Sequence, residues 1–275
     1  MASDLHTHTN FSDGSLTPEE LLDTAKNIGL KYLAITDHDT LDGVKYIYEN
    51  GIYPDKNLKI IFGIEFSALN PTHDVHIVGY NVDIYDGALS DMINEIMEAR
   101  WIRFTEMIKN LQARKFNIRE AEVLQVTGSS RSIGRAHIAR ALVKKGIFKS
   151  MRDAFEKMLG KGKPAYAPRY FPTVDEIINV IRQAGGQAML AHPGLIGDDR
   201  LVEELCRKVD ALEVYYPAHK PLDVQKYLSI AKMFNLMIGG GSDFHGIGSR
   251  HVNKLGEYTI PDEVAEKFFM ANKFS

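Results

Sequence analysis

Asp4-Leu5-His6-Thr7-His8-Thr9, with Ser12-Asp13-Gly14 close behind, is the stretch around which the rest of the chain falls into order. Apolar and polar residues alternate into two histidines at i and i+2. On a β-strand those side chains project to the same side. Two neutral imidazoles side by side, with a carboxylate five residues on, suit a divalent transition metal. Two histidines at a strand end that hydrogen-bond to a turn are the other reading of this motif taken alone.

The chain of 275 residues suits one large α/β domain, or a domain with an inserted subdomain. At 44% apolar and 25% charged residues, it can bury a core without staples. The single Cys206 excludes an intramolecular disulfide and a Cys-based zinc ribbon. No apolar run approaches the ~18 residues of a membrane span. The motif begins too early to leave room for a signal peptide. A soluble, cytoplasmic protein with no membrane attachment and no obligate protein partner is therefore expected. The net charge of −3 hides an asymmetry. Ala99 to Tyr170 carry 17 Lys and Arg against 5 Asp and Glu, a net of +12, leaving −15 on the remainder. An acidic body concentrates metal cations, and a basic segment attracts a phosphorylated substrate. Solvated helix surfaces are the plainer alternative.

Short β-like runs alternate with helical patterns. Thr17-Pro18-Glu19-Glu20 opens a helix with Thr as N-cap, Pro at N1 and Glu at N3, and Gly29 closes it. Tyr32–Thr36 reads as a buried strand ending at Asp37-His38-Asp39, Lys59–Ile64 as another ending at Glu65, and Val75–Tyr80 as a third. From about Leu89 the spacing turns helical, through Met92, Ile96, Trp101, Phe104 and Leu111, with Trp101 and the methionines expected in the core. This basic helical block interrupts the alternation, so residues 99–164 are expected to be an insertion in a body formed by 1–98 and 165–275. The alternation then resumes, with strands ending at His192-Pro193-Gly194, at Tyr215 and at Gly239-Gly240-Gly241-Ser242-Asp243-Phe244-His245. Repeated strand–helix units imply parallel pairing with right-handed crossovers. A barrel brings the strand ends to one rim, whereas an open sheet strings them out. His8, His38, Glu65, His192 and Asp243/His245 all follow apolar runs, which favours the barrel.

Asp4–Thr9 with Ser12–Gly14, Ile35–Asp39, Ala191-His192-Pro193 and Gly241–Gly246 together resemble the signature blocks of the PHP (polymerase and histidinol phosphatase) family. The resemblance covers nearly the whole chain. It implies a distorted (β/α)7 barrel with a helical insertion subdomain, a trinuclear metal site and hydrolysis of phosphate esters. Carried over position by position, His6, His8 and Asp243 hold a first metal, which Glu65 bridges to a third. Asp13, His38 and His245 hold a second, and His76 and His192 complete the third. All nine positions carry a ligand-capable residue. The mixed histidine and carboxylate set suits borderline ions: three divalent cations are expected, with Mn²⁺ first and Zn²⁺ or Fe²⁺ as alternatives. Metals about 3.5–4 Å apart clamp the attacking and leaving oxygens of a phosphoryl group, and a bridging water held at Glu65 becomes the nucleophile for in-line attack. No phosphoenzyme is expected. Ser242 lacks a Gly-x-Ser-x-Gly elbow, and Gly239–Gly241 lacks the Gly-Lys-Ser/Thr of a P-loop.

The insertion bears on the substrate. Arg131, Arg135 and His137 fall near a helix start in Ser130–Arg140, and Arg100 and Arg103 lie on the preceding long helix. Guanidinium forks and helix N-terminal amides receive phosphate well. The block resembles that of the PHP subfamily that removes the 3′-phosphate from 3′,5′-bisphosphonucleosides, related members of which trim short RNA from the 5′ end. Ala136 stands where that subfamily has Pro. Arg100, Arg131, Arg135 and His137 are thus expected to bind substrate, a small phosphorylated nucleotide or a short RNA. His219 matches a subfamily histidine and is either a proton donor or phosphate ligand, or a structural rim residue. Asp37 and Asp39 are expected to support a ligand histidine. Tyr215 and Tyr216 either stack a base or pack at the rim. His73 and His251 have no matched role and are read as surface residues. The competing functions are an exonuclease on RNA or DNA 5′ ends, a histidinol phosphatase and a non-catalytic metal-binding module.

Overall fold

The computed structural model of the chain describes residues 2–52, 57–128, 130–246 and 252–271. Eight strands form one sheet: β1 (Ala2–Asp4), β2 (Leu30–Ile35), β3 (Lys59–Ala68), β4 (Val75–Tyr80), β5 (Gln187–Leu190), β6 (Ala211–Tyr215), β7 (Met237–Gly240) and β8 (Ile260–Pro261). Their order is β7-β6-β5-β4-β3-β2-β1-β8. The short β8 is an addition to the seven strands expected. Past Asp4 the chain leaves β8 and turns to the segment after β7. Leu5 N–H reaches the Gly240 carbonyl at 3.3 Å, His8 N–H reaches Phe244 at 3.0 Å, and Thr7 bridges Phe244 in parallel. The barrel therefore closes at the His-x-His motif itself.

Uniform parallel pairing does not hold. β4 runs antiparallel to both β3 and β5. The loop from β3 to β4 spans only residues 69–74, too short for a helical crossover, so β4 returns as a hairpin. The reversal has a consequence for the site. β4 presents its N-terminal end, with His76, to the rim where its neighbours present their C-terminal ends. β3 also runs four residues beyond the expected Ile64, so Glu65 lies within the strand.

Alternation along the strands sorts side chains into two layers. Tyr32 and Ala34 face the barrel interior with Leu5, Ile61, Val78, Tyr80 and Met189, while Leu33 and Ile35 face the outer helices. The outer layer comprises α1 (Pro18–Asn27), α2 (Asp42–Glu49), the first half of α3 (Gly87–Ala113), and later α7 (Val174–Gln183), α8 (Asp199–Cys206) and α9 (Pro221–Met233). Ala265 and Phe268 of α10 (Asp262–Met270) join the interior cluster. Thr17 and Thr173 each make the capping box expected of Thr-x-x-Glu.

α3 changes partners part-way along. Leu89, Ile93, Ile96 and Met97 pack on the barrel, whereas residues from Phe104 onward join a separate apolar cluster. That cluster includes α4 (Glu120–Thr127), α5 (Arg135–Lys144) and α6 (Met151–Ala154), continued by a π-turn over Phe155–Leu159, and extends to Ala167. Trp101 is not core: it is 45% exposed, beside Phe104. Among the described residues, no helix is long and apolar enough to cross a membrane.

Candidate metal centre

The nine ligand-type residues expected from the sequence converge on one rim. Glu65 sits at the middle, fully buried with His6 and His8. Its Oε2 lies 3.2 Å from His6 Nε2, 3.3 Å from His8 Nε2 and 3.0 Å from His38 Nδ1. Its Oε1 lies 2.8 Å from His76 Nδ1 and 3.1 Å from His192 Nε2. Asp243 Oδ1 stands 3.2 Å from His8 Nε2 and 3.6 Å from His6 Nε2. Asp13 Oδ1 stands 3.2 Å from His245 Nε2 and 4.0 Å from His38 Nε2. Three groups emerge whose candidate ligand atoms lie within 4.8 Å of one another: His6, His8, Glu65 and Asp243; His8, Asp13, His38 and His245; and His38, Glu65 and His76. His192 reaches the third through Glu65.

The residues fit divalent cations on their own chemistry. His6 Nε2, both His8 ring nitrogens, His38 Nδ1, Asp13 Oδ1 and Glu65 Oε2 are buried without a hydrogen-bond partner. Orphaned buried polar atoms are costly, and so many lone-pair atoms facing one point require a shared partner. Burial pushes the Glu65 carboxyl toward the neutral form, but His38, His6 and His76 outweigh it and hold its pKa well below the usual range. Burial likewise opposes protonation of His6, yet Glu213, Glu65 and Asp243 hold its pKa well above the usual imidazole range. Glu65 and His6 are thus each held toward the charged form by their neighbours, and a cation at His6 would compete with its proton.

Glu213 escaped the sequence reading. Its Oε1 accepts from His6 Nδ1 at 3.0 Å, and its Oε2 accepts from the His192 N–H at 2.6 Å. One carboxylate therefore turns the His6 Nε2 lone pair inward and pins the turn that carries His192. The available signal was a charged residue inside the apolar run Ala211-Leu212-Glu213-Val214. Tyr216 packs at the rim and donates to Asp243 Oδ2 at 2.9 Å. Asp37 and Asp39 do not touch the His38 ring. Asp37 accepts from Thr9 N–H, Thr9 Oγ1 and Ser12 Oγ, shaping the loop that leads to Asp13. Asp39 instead receives two guanidiniums, from Arg100 at 2.5 Å and Arg169 at 2.8 Å.

Those arginines belong to the other wall of a cavity of about 730 Å³ that opens onto the metal-ligand cluster. Arg100, Arg103, Arg135 and Arg169 line it. Arg103 is tied back to the Ala167 carbonyl at 2.9 Å, and Tyr166 flanks both Arg103 and Arg135. The carboxylates these guanidiniums feel are Asp39 and, for Arg135, Asp74. Burial first, then Arg135 and Arg169, lower Arg103 to about 9; burial and Arg100 lower Arg169 to about 10. Arg169 Nε and Nη1 are buried with no hydrogen-bond partner. Arg169, near the end of the basic segment, belongs to no motif and was not singled out from the sequence.

Three expected substrate or catalytic residues are placed elsewhere. Arg131 is 61% exposed, 3.9 Å from Asp42 and away from the cavity. His137 accepts the Gly134 N–H at 3.0 Å, capping α5, and burial pushes it down to about 4. His219 accepts the Gly194 N–H at 3.1 Å and donates to the Val214 carbonyl at 2.9 Å. With both ring nitrogens committed and its pKa lowered by burial, it has no proton to give and instead holds the turn after His192. His73 is half-buried against Asn70 and Thr72 at the cavity mouth. His251 lies outside the described residues.

Comparison with known proteins fits this arrangement. The PHP domain profile matches residues 4–163. The chain belongs to the PHP family. It is 36% identical over 249 residues to the 5′-3′ exoribonuclease Rnm of Escherichia coli, covering 88% of this chain and 84% of that one. It is 34% identical over 257 residues to the 3′,5′-nucleoside bisphosphate phosphatase of Chromobacterium violaceum, covering 90% of each. A crystal structure from Bifidobacterium adolescentis, assigned as a metal-dependent phosphoesterase, superposes with a TM-score of 0.87 at 32% identity, over 98% of this chain and 96% of that one. This PHP protein is accordingly an enzyme, a metal-dependent phosphoesterase, and the non-catalytic reading is set aside.

Proposed function

We propose that this PHP enzyme removes the 3′-phosphate of nucleoside 3′,5′-bisphosphates, using three divalent cations with manganese preferred. The observation that carries this reading is a single cavity with a histidine–carboxylate wall and a four-arginine wall. A substrate with two phosphates has one group for each wall. Arg100, Arg103, Arg135 and Arg169 bind the phosphate that does not react, and their mutual repulsion in a buried site favours a dianion there. His6, His8 and Asp243, then Asp13, His38 and His245, then His76 and His192 would hold the cations, with Glu65 shared between them. When bound, the cations supply Lewis acidity and an activated water. Glu65, anchored on β3, holds the ligand sets in register, and Glu213 keeps His6 and His192 facing inward. Tyr216 orients Asp243 through its hydroxyl.

The relative named as a 5′-3′ exoribonuclease supports a second reading on the same geometry. A 5′-phosphorylated RNA end would place its terminal phosphate on the arginines and its first internucleotide phosphate at the cations. The same P–O3′ bond breaks in both substrates, which differ only in what the phosphorus carries on its other side. Phosphate release from adenosine 3′,5′-bisphosphate and from histidinol phosphate with Mn²⁺, measured beside chromatographic detection of mononucleotides from a 5′-phosphorylated RNA dinucleotide, tests these readings. Fast release with AMP as product is expected. Preference for histidinol phosphate would reject the arginine clamp and leave the phosphoesterase assignment standing.

A further inference from the structure

Contacts from the helical block also reach the backbone of the metal centre, and they converge on one ligand group. Arg140 of α5 donates to the Asp13 carbonyl at 3.0 Å. Ser132, in the turn before α5, donates through Oγ to the His38 carbonyl at 2.6 Å. Asp13 and His38 belong with His8 and His245 to one group, and Asp13 belongs to no other. A ring of contacts braces the same spot. Arg100 donates to the Ile133 carbonyl at 3.3 Å, next to Ser132, and to Asp39, next to His38.

Three of this group's four residues are partly exposed, against Asp243 alone in its neighbour. His6, His8 and Glu65 are fully buried, whereas Asp13 and His38 are partly exposed. Asp13 lies in a loop, not a strand. A ligand on a loop keeps its direction only if something fixes its peptide, and here the fixing groups come from another part of the chain.

We propose that Arg140 and Ser132 are positioning residues for the cation held by His8, Asp13, His38 and His245, so that the helical block assembles that cation's site as well as receiving phosphate. This rests on the reading that the group holds its own ion. Groups that orient metal ligands from behind are worth about 10–100-fold in metal affinity when removed. Arg140→Met should therefore weaken manganese at this group by about 10–100-fold while sparing the His6, His8, Glu65 and Asp243 group. Tyr216→Phe, which acts on Asp243, should do the reverse.

The experiment is a manganese titration of the full chain by electron paramagnetic resonance, with site occupancies assigned by anomalous diffraction. Arg140→Lys should restore most of the affinity. Ser132→Ala removes one hydroxyl and should shift occupancy in the same direction, should Arg140→Met fail to fold. Wild-type occupancy of this group in both Arg140→Met and Ser132→Ala, or equal loss from every group, overturns the inference while leaving the ion assignment intact. Wild-type protein with no manganese at this group rejects the ion assignment, and the inference with it.

Discussion

The two walls of the cavity are built on opposite principles. On the barrel side, carboxylates and imidazoles face one another, so opposite charges lie close together while several of their buried lone-pair atoms keep no hydrogen bond. On the helical side, four guanidiniums crowd together with Asp39 as their main counter-charge, and Arg169 keeps two buried nitrogens without a hydrogen bond. The first wall offers lone pairs to cations. The second carries an electrostatic deficit that an anion makes good. Under the proposed reading the site brings a cationic centre and a dianionic group together, and it keeps these tasks on separate elements. Asp39, one residue after the candidate ligand His38, joins the two.

The largest effect is expected from breaking the barrel wall. Glu65→Gln should lower kcat by at least about 100-fold, since one carboxylate serves five imidazoles; an undiminished rate in steady-state assays would sink the assignment. Breaking the other wall should act on binding. Arg169→Met should raise KM for adenosine 3′,5′-bisphosphate at least about 30-fold, yet leave an adenosine 3′-monophosphate nearly unchanged. Equal losses on both substrates would mean that Arg169 does not read the second phosphate.

Smaller effects sharpen the contrast. Stripping metal with a chelator should abolish activity and lower the melting temperature by roughly 5–10 °C, the scale for a ligand held far above its Kd. A calorimetric scan that is unmoved by chelation argues against cations in a buried centre. His137 contributes to stability through pH. Its folded pKa, about 4, lies below the ordinary 6.5, so the unfolded chain takes up a proton first as pH falls. Its contribution is full above about pH 6.5 and is lost toward pH 4, up to about 3 kcal/mol. His137→Gln should flatten that part of the denaturation curve of the metal-free protein. Arg131→Ala, on an exposed side chain away from the cavity, should change kcat/KM less than about twofold. A large loss there would return Arg131 to the clamp.

The legibility of the two walls differed for a physical reason. Metal ligands must bring particular atoms to a strand end, so His6 and His8, His38, His192, Asp243 and His245 stand out where an apolar run stops. That local rule also carried the barrel. It misled at β4, where a six-residue connection turns the chain back and puts His76 at the start of a strand. Guanidiniums follow no such rule. Arg131 and Arg135 sit four residues apart in one basic stretch, yet only Arg135 lines the cavity. Arg169 joins it from the far end of the block, drawn by Asp39.

Strand-end residues pointed to a barrel, and the resemblance of the motif blocks to the PHP family supplied the phosphoesterase class and the candidate ligand set, because both depend on residue types that recur in short local motifs. Tertiary contacts decided the rest. The roles of Arg169, His219, His137 and Glu213 depend on which groups from distant segments meet their polar atoms. His219 is an available acid in isolation and a spent hydrogen-bonding group once Gly194 and Val214 close on it. Glu213 is an improbable charge in a strand until His6 and the His192 amide arrive to satisfy it.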